Sequence, residues 1–457
     1  MSLIFAAAVA STKATVLEPE SAPANVRAVT DTRTLRAGDT FIALRGERHD
    51  GHSFVADAVR RGAAALIVDD PAAAMPGVAT LVVGNTLCAY MDLAASTRDR
   101  FAGTVVGITG SAGKTTTRIF LEQLARAHYG ARVLAPPGNE NNEIGVSKVL
   151  LEADDRHYDV IVLELGARHF GDVAVLVDIA RPQIGILTNV GEAHLEIMGS
   201  RERLADTKWG LFSRGARAVL NADDDVSRAR AESLNAPAHW FTASDEAAGS
   251  QAFSRMTAVL EDTLNDRDGA RVDQREIAVR FPGHYNRWNL AAAAAAALEL
   301  GIELGVVASA VETLQLPAGR YARMTLHEGG PKIIYDAYNA NASGMIAALD
   351  AFAQESAGRR IAVLASMAEL GNESQALHER VGAHAARIVD VLVVEGDFAA
   401  ELARGARGAG LAPSQIVEVR DNTEAARWLR EHATARDAVL LKGSRKYRLE
   451  EIVEALQ

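Results

Sequence analysis

The chain has 457 residues, a net charge of -11 and a single cysteine, Cys88. Domains usually contain roughly 100–200 residues, so the length predicts about three of them. The negative charge argues against a nucleic-acid-binding protein, because no surplus of lysine and arginine can neutralise phosphates. One cysteine excludes an intramolecular disulfide, which indicates a reducing compartment, and we expect Cys88 itself to be buried and unreactive.

Residues 1–98 are predicted to form a small α/β domain. The apolar stretch 1–10 has no basic segment before it, so it is interpreted as a first helix or strand and not as a signal peptide. Strands over residues 40–44, 64–68 and 80–83 and a helix over 54–61 follow. No apolar run approaches the length of a membrane span, and a cytoplasmic protein is expected.

Residues 99–318 are predicted to form a second domain. Short apolar strands at 104–109, 160–163, 184–187 and 218–221 alternate with helical stretches, a pattern typical of a parallel sheet covered on both faces. Residues 245–282 have the pattern of strand pairs and turns. Residues 286–300, which include seven consecutive alanines, are predicted to be helical.

Residues 319–457 are predicted to form a third domain. Apolar strands at 332–335, 361–364, 391–394 and 438–441 again alternate with helical segments. This alternation indicates a second doubly wound, Rossmann-like α/β domain. The fold class is therefore α/β with three domains.

The strongest chemical signal lies between the strand at 104–109 and the helix that follows. It is the segment Gly110-Ser111-Ala112-Gly113-Lys114-Thr115-Thr116. Glycines let backbone N–H groups face phosphates, a lysine reaches the β and γ oxygens, and the following hydroxyl can bind Mg²⁺. The gap from Gly107 is one residue longer than in the Walker pattern. We interpret the segment as an ATP phosphate loop; the alternative is a glycine turn with an accidental Gly-Lys-Thr.

Three more residues follow predicted strands or lie near them. Glu164 ends the strand at 160–163, and His194 comes after the strand at 184–187. Because the carboxyl ends of parallel strands line the ligand crevice, Glu164 and Thr115 are predicted to offer oxygen ligands to Mg²⁺. Taken singly, Glu164 fits a surface carboxylate, His194 a structural histidine and Lys208 a solvated lysine.

Taken together in their order along the chain, these segments resemble the Mur ligase family, and the resemblance covers essentially the whole chain. Residues 109–116 have that family's glycine spacing, and residues 139–146 resemble its asparagine-rich segment. The resemblance implies an ATP-dependent ligase that forms an amide bond through an acyl phosphate. It also implies a uridine-nucleotide domain at the N-terminus, a central P-loop domain and a C-terminal domain that binds the incoming amine.

The same resemblance implies a metal site. Glu164 matches the family's Mg²⁺-binding glutamate, His194 its histidine near a second Mg²⁺, and Lys208 its lysine that CO₂ carbamylates. A carbamate turns this cation into an oxygen ligand, which hard cations favour. The implied metal ligands are Thr115, Glu164, His194 and Lys208, around two Mg²⁺ ions. Lys114, His194 and Lys208 are the implied catalytic residues.

Other segments imply further binding residues. The resemblance assigns ATP binding to the phosphate loop and to Asn286, Asn289, Arg320 and Asp336. Residues 336–341 and 441–445 indicate the family member that adds a dipeptide last, which implies UDP-N-acetylmuramoyl-tripeptide and D-alanyl-D-alanine as substrates. The implied substrate-binding residues are Thr32, Arg33, Asn142, Asn339, Lys442, Ser444 and Arg445.

Three positions depart from the family pattern. Tyr285 replaces a histidine, Ala342 a proline and Ser366 an aspartate. Two alternatives therefore stay open: a paralogous ligase that joins another acid or amine, and a catalytically silent ATP-binding protein, since folds can lose chemistry and keep binding. We expect a monomer that binds small molecules and no nucleic acid.

Overall fold

The computed structural model describes residues 3–46, 49–191, 195–242, 269–272, 275–278, 284–317, 319–326 and 329–457. Within these residues, none of the helices combines the length and apolarity needed to cross a membrane. The strands form three large sheets, one after another along the chain.

The first unit is a small α/β sandwich. Its strands are β1 (Leu3–Ile4), β2 (Thr15–Leu17), β3 (Asn25–Val26), β4 (Ala28–Val29), β5 (Thr40–Ile42), β6 (Ala65–Val68) and β7 (Ala79–Val82). Its helices are α1 (Phe5–Thr12), α2 (Val55–Arg60) and α3 (Thr86–Arg100). The sheet has the order β2-β7-β6-β5-β4, and only the β2–β7 pair is antiparallel. Separate apolar clusters cover its two faces.

One prediction for this unit is wrong: Cys88 is exposed. It lies in the first turn of α3, where its backbone N–H donates to the side chain of the N-cap residue Asn85 at 2.9 Å. The buried face of α3 is formed instead by residues such as Ala89, Tyr90 and Leu93. Cys88 lies outside this buried face of the helix, and its thiol therefore faces solvent.

The second unit is built on a six-stranded parallel sheet. Its strands are β8 (Thr104–Thr109), β9 (Val133–Leu134), β10 (Val160–Glu164), β11 (Ile184–Leu187), β12 (Arg217–Asn221) and β13 (His239–Phe241). Its helices are α4 (Lys114–Tyr129), α5 (Glu143–Leu151), α6 (Asp172–Ala180), α7 (Leu195–Met198), α8 (Arg201–Trp209), α9 (Asp225–Arg230), α10 (His284–Glu299) and α11 (Leu304–Val311). The strand order is β13-β12-β11-β8-β10-β9.

Position within this sheet decides where ligands can bind. β8 lies between β11 and β10, so the loop after it opens near the middle of the carboxyl edge. Helices α4, α10 and α11 cover one face, and α5 and α6 cover the other. The alanine run 291–297 of α10 is buried, and its small side chains let α10 pack closely on α4.

A separate hairpin lies in the chain between β13 and α10. Its strands are β14 (Gly269–Val272) and β15 (Arg275–Ala278), and they pair antiparallel. This agrees with the strand pair expected within residues 245–282. The rest of that stretch lies outside the described residues.

The third unit is a second doubly wound sheet. Its strands are β16 (Ala322–Thr325), β17 (Lys332–Tyr335), β18 (Arg360–Ala365), β19 (Val391–Glu395), β20 (Ile416–Val419) and β21 (Ala438–Lys442). Its helices are α12 (Ala342–Ala353), α13 (Ser374–Ala385), α14 (Ala399–Gly408), α15 (Asn422–His432) and α16 (Glu450–Leu456). The order is β16-β17-β21-β18-β19-β20, with only β16 antiparallel.

The chain returns to insert β21 between β17 and β18, which creates a topological switch point at that carboxyl edge. Apolar clusters cover both faces of the sheet. The predicted class, three α/β domains with parallel sheets in the central and C-terminal ones, is confirmed. The limits 1–98, 99–318 and 319–457 stay predictions.

Candidate active site

A cleft of about 1100 Å³ separates the second and third units. Its floor is formed by the segments that follow β8, β10, β11 and β12. Its opposite wall is formed by residues within the segments 336–344, 368–370 and 442–446 of the third unit. The carboxyl edges of two parallel sheets thus face one space, where α/β folds bind ligands.

The phosphate loop follows β8 and has room for backbone only. Gly110 has φ 151° and Gly113 has φ 83°. A Cβ on Gly110 would lie 1.9 Å from Thr188 Oγ1, and one on Gly113 would lie 2.2 Å from Asn289 Oδ1. Gly107 is different, because it lies inside β8 and is not part of the loop. The long gap after Gly107 therefore has a structural reason: the loop begins at Gly110.

The loop is fixed by two residues that the sequence analysis missed. The backbone N–H of Ser111 donates to the carbonyl oxygen of Asn189 at 3.0 Å. The backbone N–H of Ala112 donates to the side-chain Oδ1 of Asn189, also at 3.0 Å. Thr188 Oγ1 donates to the Ala112 carbonyl at 2.6 Å. Both residues directly follow β11. Their place beside the loop at a strand end was the signal that could have identified them.

Lys114 opens α4 and remains inside the loop. Its Nζ donates to the Gly110 carbonyl at 2.8 Å. Burial lowers the pKa of Lys114, the charge of Glu164 opposes this, and the charge of Arg320 adds to it. A phosphate in the loop would replace this contact with a neutral carbonyl by one between opposite charges. Thr116, two residues further along α4, is buried.

Glu164 is a buried carboxylate, only 2% exposed, and not a surface one. Its Oε2 accepts from Thr115 Oγ1 at 2.9 Å, and its Oε1 accepts from Asn141 Nδ2 at 3.0 Å. Asn142, the predicted substrate ligand, uses its Oδ1 to cap α5 through Gly145 N at 2.9 Å, although it also lines the cleft. The hydroxyl and carboxylate form an oxygen pair that suits a hard cation.

Within the described residues, no three His, Cys, Asp or Glu side chains are close enough to hold a metal ion. A cation at Thr115 and Glu164 would therefore need further oxygen ligands, such as those of phosphate or water. His194 lies outside the described residues.

Lys208 is 1% exposed, in the last turn of α8. Burial lowers the pKa of Lys208 well below its ordinary value, and the nearby charge of Lys114 lowers it further. The expectation that Lys208, taken singly, is a solvated lysine is thus wrong. Lys208 does not line the cleft itself, but it lies close enough to the phosphate loop for the two ammonium groups to repel each other.

A second set of side chains lies on the β12–β13 side of the loop. Asn289 lines the cleft beside Gly113, whereas Asn286 is fully buried and does not line it. The sequence analysis missed Trp288, whose Nε1 donates to Asp223 Oδ2 at 2.6 Å, and Asp223 itself. Their aromatic and polar surfaces suit a nucleotide base, which needs both contacts.

The wall of the third unit carries a buried ion pair. Asp336 Oδ2 and Lys442 Nζ are 2.9 Å apart, and their side chains are 7% and 5% exposed. Lys442 Nζ also donates to the carbonyl of Asn339 at 3.3 Å, which fixes the segment after β17. Arg320 lies 4.3 Å from the ring centroid of Tyr338. All five residues line the cleft.

The remaining predicted substrate residues divide between two places. Ser444 and Arg445 line the cleft, where Arg445 pairs with Glu450 at 2.9 Å. Thr32 and Arg33 lie in the first unit and do not line this cleft. Arg33 pairs with Asp31 at 2.7 Å and lowers the pKa of Asp31 to about 2. The structure therefore brings the predicted ATP and C-terminal residues together, with the exceptions named, and leaves Thr32 and Arg33 apart.

Two of the three departures from the family pattern are structural. Ser366 is buried, donates to the Glu395 carbonyl at 3.2 Å and accepts from Phe398 N at 2.8 Å. Ala342 is buried at the first position of α12, after the N-cap Asn341. Neither lines the cleft. Tyr285 does, and burial, reinforced by the charge of Asp336, raises the pKa of Tyr285.

A phosphate loop under a second α/β unit is the arrangement of a nucleotide-dependent ligase, and comparison with known proteins gives the family. Residues 28–90 match the Mur ligase family catalytic domain, residues 108–297 the Mur ligase middle domain, and residues 320–445 the Mur ligase glutamate ligase domain. The chain belongs to the Mur ligase family and is an ATP-dependent ligase.

Two curated relatives show how close the similarity is. One from Mycobacterium tuberculosis (strain ATCC 25618 / H37Rv) is 36% identical over 472 residues, 93% of this chain and 91% of the relative. One from Escherichia coli (strain K12) is 35% identical over 441 residues, 94% of this chain and 93% of the relative. Both are UDP-N-acetylmuramoyl-tripeptide--D-alanyl-D-alanine ligases.

Solved structures agree. MurF from Acinetobacter baumannii superposes with a TM-score of 0.86 at 27% identity and covers 100% of this chain and 99% of its own. MurF ligase from Thermotoga maritima in complex with ADP gives 0.78 at 28% identity, with 94% and 96% covered. UDP-N-acetylmuramoylalanyl-D-glutamyl-2,6-diaminopimelate--D-alanyl-D-alanyl ligase from Acinetobacter baumannii gives 0.82 at 26% identity, with 100% and 98% covered.

Proposed function

We propose that the protein joins a carboxylate of UDP-N-acetylmuramoyl-tripeptide to the amine of D-alanyl-D-alanine at the expense of ATP. The observation that carries this is the shared cleft: a phosphate loop with Lys114 on one side and the segments 336–344 and 442–446 on the other. Such a cleft can hold ATP, an acid and an amine together. The names of the similar ligases supply the acid and the amine.

The reaction we propose has two steps. A carboxylate oxygen attacks the γ-phosphorus of ATP, which gives an acyl phosphate and ADP. The amine then attacks the acyl carbon, and the tetrahedral intermediate expels phosphate as the amide forms. Lys114 and the N–H groups of the phosphate loop would stabilise the negative charge that gathers in both steps. The facing unit would exclude water, which otherwise hydrolyses an acyl phosphate.

The proposed reaction includes two Mg²⁺ ions, which would neutralise phosphate charge when bound. Thr115 and Glu164 would hold the first, because their hydroxyl and carboxylate oxygens are adjacent and partly buried. His194 and Lys208 would serve the second. A neutral amine is the form that adds CO₂, and burial favours the neutral form of Lys208. Carbamylation would release a proton and leave an anionic oxygen ligand.

The carbamate has its own test, independent of turnover. Wild type equilibrated with ¹³C-bicarbonate should give a carbamate carbon resonance in the ¹³C spectrum, and Lys208→Met should lack it. Lys148→Met, which removes an exposed lysine paired with Glu140, is the matched control and should keep the resonance. A spectrum without it in the wild type would remove the carbamate from the proposal.

The other substrate roles follow from position. Asn289 would lie beside the adenine, and Arg320 and Asp336 beside the nucleotide where the third unit closes. Asn339, Ser444 and Arg445 would contact the amine. Thr32 and Arg33, in the first unit, would contact the uridine nucleotide far from the reacting atoms. We also propose a monomer in the cytoplasm, where ATP and nucleotide-linked substrates occur.

Phosphate release and product mass test the proposed function. Wild type with ATP, Mg²⁺ and UDP-N-acetylmuramoyl-tripeptide should release phosphate only when D-alanyl-D-alanine is present, and the product should have the mass of acid plus amine less water. Lys114→Ala should stay folded, as its circular dichroism would show, and lose turnover. No release from this pair, but release with another acid or amine, would replace the proposal by a paralogous ligase; ATP binding without any release would favour a silent protein.

A further inference from the structure

The two sides of the phosphate loop are chemically different. Trp288, Asp223 and Asn289 lie on the side of β11, β12 and β13, while Arg168 lies on the opposite side, beyond β10. If ATP extends from the loop toward the first group, the acid must approach its γ-phosphate from the β10 side. On that side, α5 and α6 pack against α3. The acid's path therefore runs past the loop that joins β10 to α6.

That loop is held in place at both ends. Gly166 N donates to the Asn141 carbonyl at 2.8 Å, and a Cβ on Gly166 would lie 2.9 Å from the same oxygen. The N–H groups of Arg168 and His169 both donate to Asp172 Oδ2, at 2.8 and 2.7 Å. The backbone is thus fixed while the side chains of Arg168 and His169 stay exposed and line the cleft.

The side chain of Arg168 carries a positive charge into the cleft. Among the residues that the structure describes, its guanidinium has neither a hydrogen bond nor an ion pair. Other basic side chains of the cleft are engaged, such as Lys442 with Asp336 and Arg445 with Glu450. A guanidinium that has no partner among the described residues and stands on a fixed backbone, in a protein of net charge -11, is suited to a carboxylate of a ligand.

We infer that Arg168 binds a carboxylate of the acid substrate other than the one that reacts, with His169 beside it, and so determines which acids are accepted. This inference rests on the proposed function. The acid named for one similar ligase contains D-glutamate and diaminopimelate, two dicarboxylic acids that, joined by one amide bond, have carboxylates to spare. Arg168 lies four residues beyond Glu164 and can hold one of them while another faces the γ-phosphate.

Kinetics with substrate analogues test the inference. Arg168→Gln should raise the KM for UDP-N-acetylmuramoyl-tripeptide about tenfold to a hundredfold, the usual effect of losing one charge-assisted hydrogen bond, with kcat and the KM for ATP nearly unchanged. Arg168→Lys should recover part of the loss. Arg427→Gln, at an exposed arginine of α15 paired with Glu424, is the matched control and should behave as wild type.

The carboxylate itself is identified with two analogues, one amidated at the free glutamyl carboxylate and one at the non-reacting carboxylate of diaminopimelate. With one of these analogues, wild type should show the same raised KM that Arg168→Gln shows with the unmodified acid. Arg168→Gln should show no further rise in KM with that analogue. A wild-type KM for Arg168→Gln, or equal effects of the variant on all three acids, overturns the inference while turnover by wild type upholds the proposed function. No turnover by wild type overturns both.

Discussion

Glu395 should destabilise the third unit at neutral and higher pH. It ends β19, is 5% exposed, and its Oε2 has no hydrogen-bond partner in the described part of the chain. Burial, with the charges of Asp421 and Glu451, raises the pKa of Glu395 from 4.5 to about 7. Between those values the folded protein holds a proton that the unfolded chain releases. The contribution of this group to stability is therefore complete below pH 4.5 and is lost as the pH rises to 7.

Replacement by the neutral isostere removes this loss. The rise in the pKa of Glu395 corresponds to about 2–3 kcal/mol of unfolding free energy, and the lower value allows for solvent screening. We expect Glu395→Gln to unfold roughly 5–10 °C above wild type at pH 8 and within about 2 °C of it at pH 5. Scanning calorimetry of the whole chain at both pH values, followed at the transition of the third unit, measures this difference.

Glu418 provides the matched control on the neighbouring strand. Its carboxylate is exposed and paired with Arg407, so Glu418→Gln should change the transition by the small amount typical of surface pairs, equally at both pH values. Equal melting temperatures for Glu395→Gln and wild type at pH 8 would refute the reasoning. So would an increase that is the same at pH 5 and pH 8.

Three further substitutions test the site and the core. Gly110→Ala should abolish ATP binding measured by calorimetry, because its Cβ would lie 1.9 Å from Thr188 Oγ1; wild-type affinity would contradict the loop geometry. Asp336→Asn should cost about 3 kcal/mol of unfolding free energy in urea, because Lys442 then stays buried without its counter-charge; a loss below about 1 kcal/mol would mean that the pair is solvated. Phe120→Ala, in the fully buried core under α10, should cost about 3–5 kcal/mol in the same assay, and an unchanged midpoint would be incompatible with that packing.

The strands could be predicted from the sequence because burial on both faces makes them continuous apolar runs. Residues 104–109, 184–187 and 332–335 were predicted with the bounds that the structure gives. The phosphate loop could be predicted for a similar reason, because the residues that would bind phosphate are consecutive in the sequence. Both cases depend on contacts close in sequence or on a uniform environment.

What the sequence could not indicate depends on contacts between distant segments. Lys208 lies in a polar stretch that fits a solvated helix, and only the packing of α8 within the second unit buries it. Asn141 and Asn142 are adjacent asparagines, yet one contacts Glu164 and the other caps α5. Trp288 meets Asp223 across 65 positions of the chain. No local pattern distinguishes such pairs.

The central claim is that the cleft transfers the γ-phosphoryl group to a carboxylate before the amide bond forms. Labelling with ¹⁸O tests it most directly. UDP-N-acetylmuramoyl-tripeptide labelled in its reacting carboxylate is turned over with ATP and D-alanyl-D-alanine, and the released phosphate is analysed by mass spectrometry. Attack of the carboxylate on the γ-phosphorus predicts that each phosphate carries one oxygen from the acid. Unlabelled phosphate, formed at the rate of the amide product, would contradict the account.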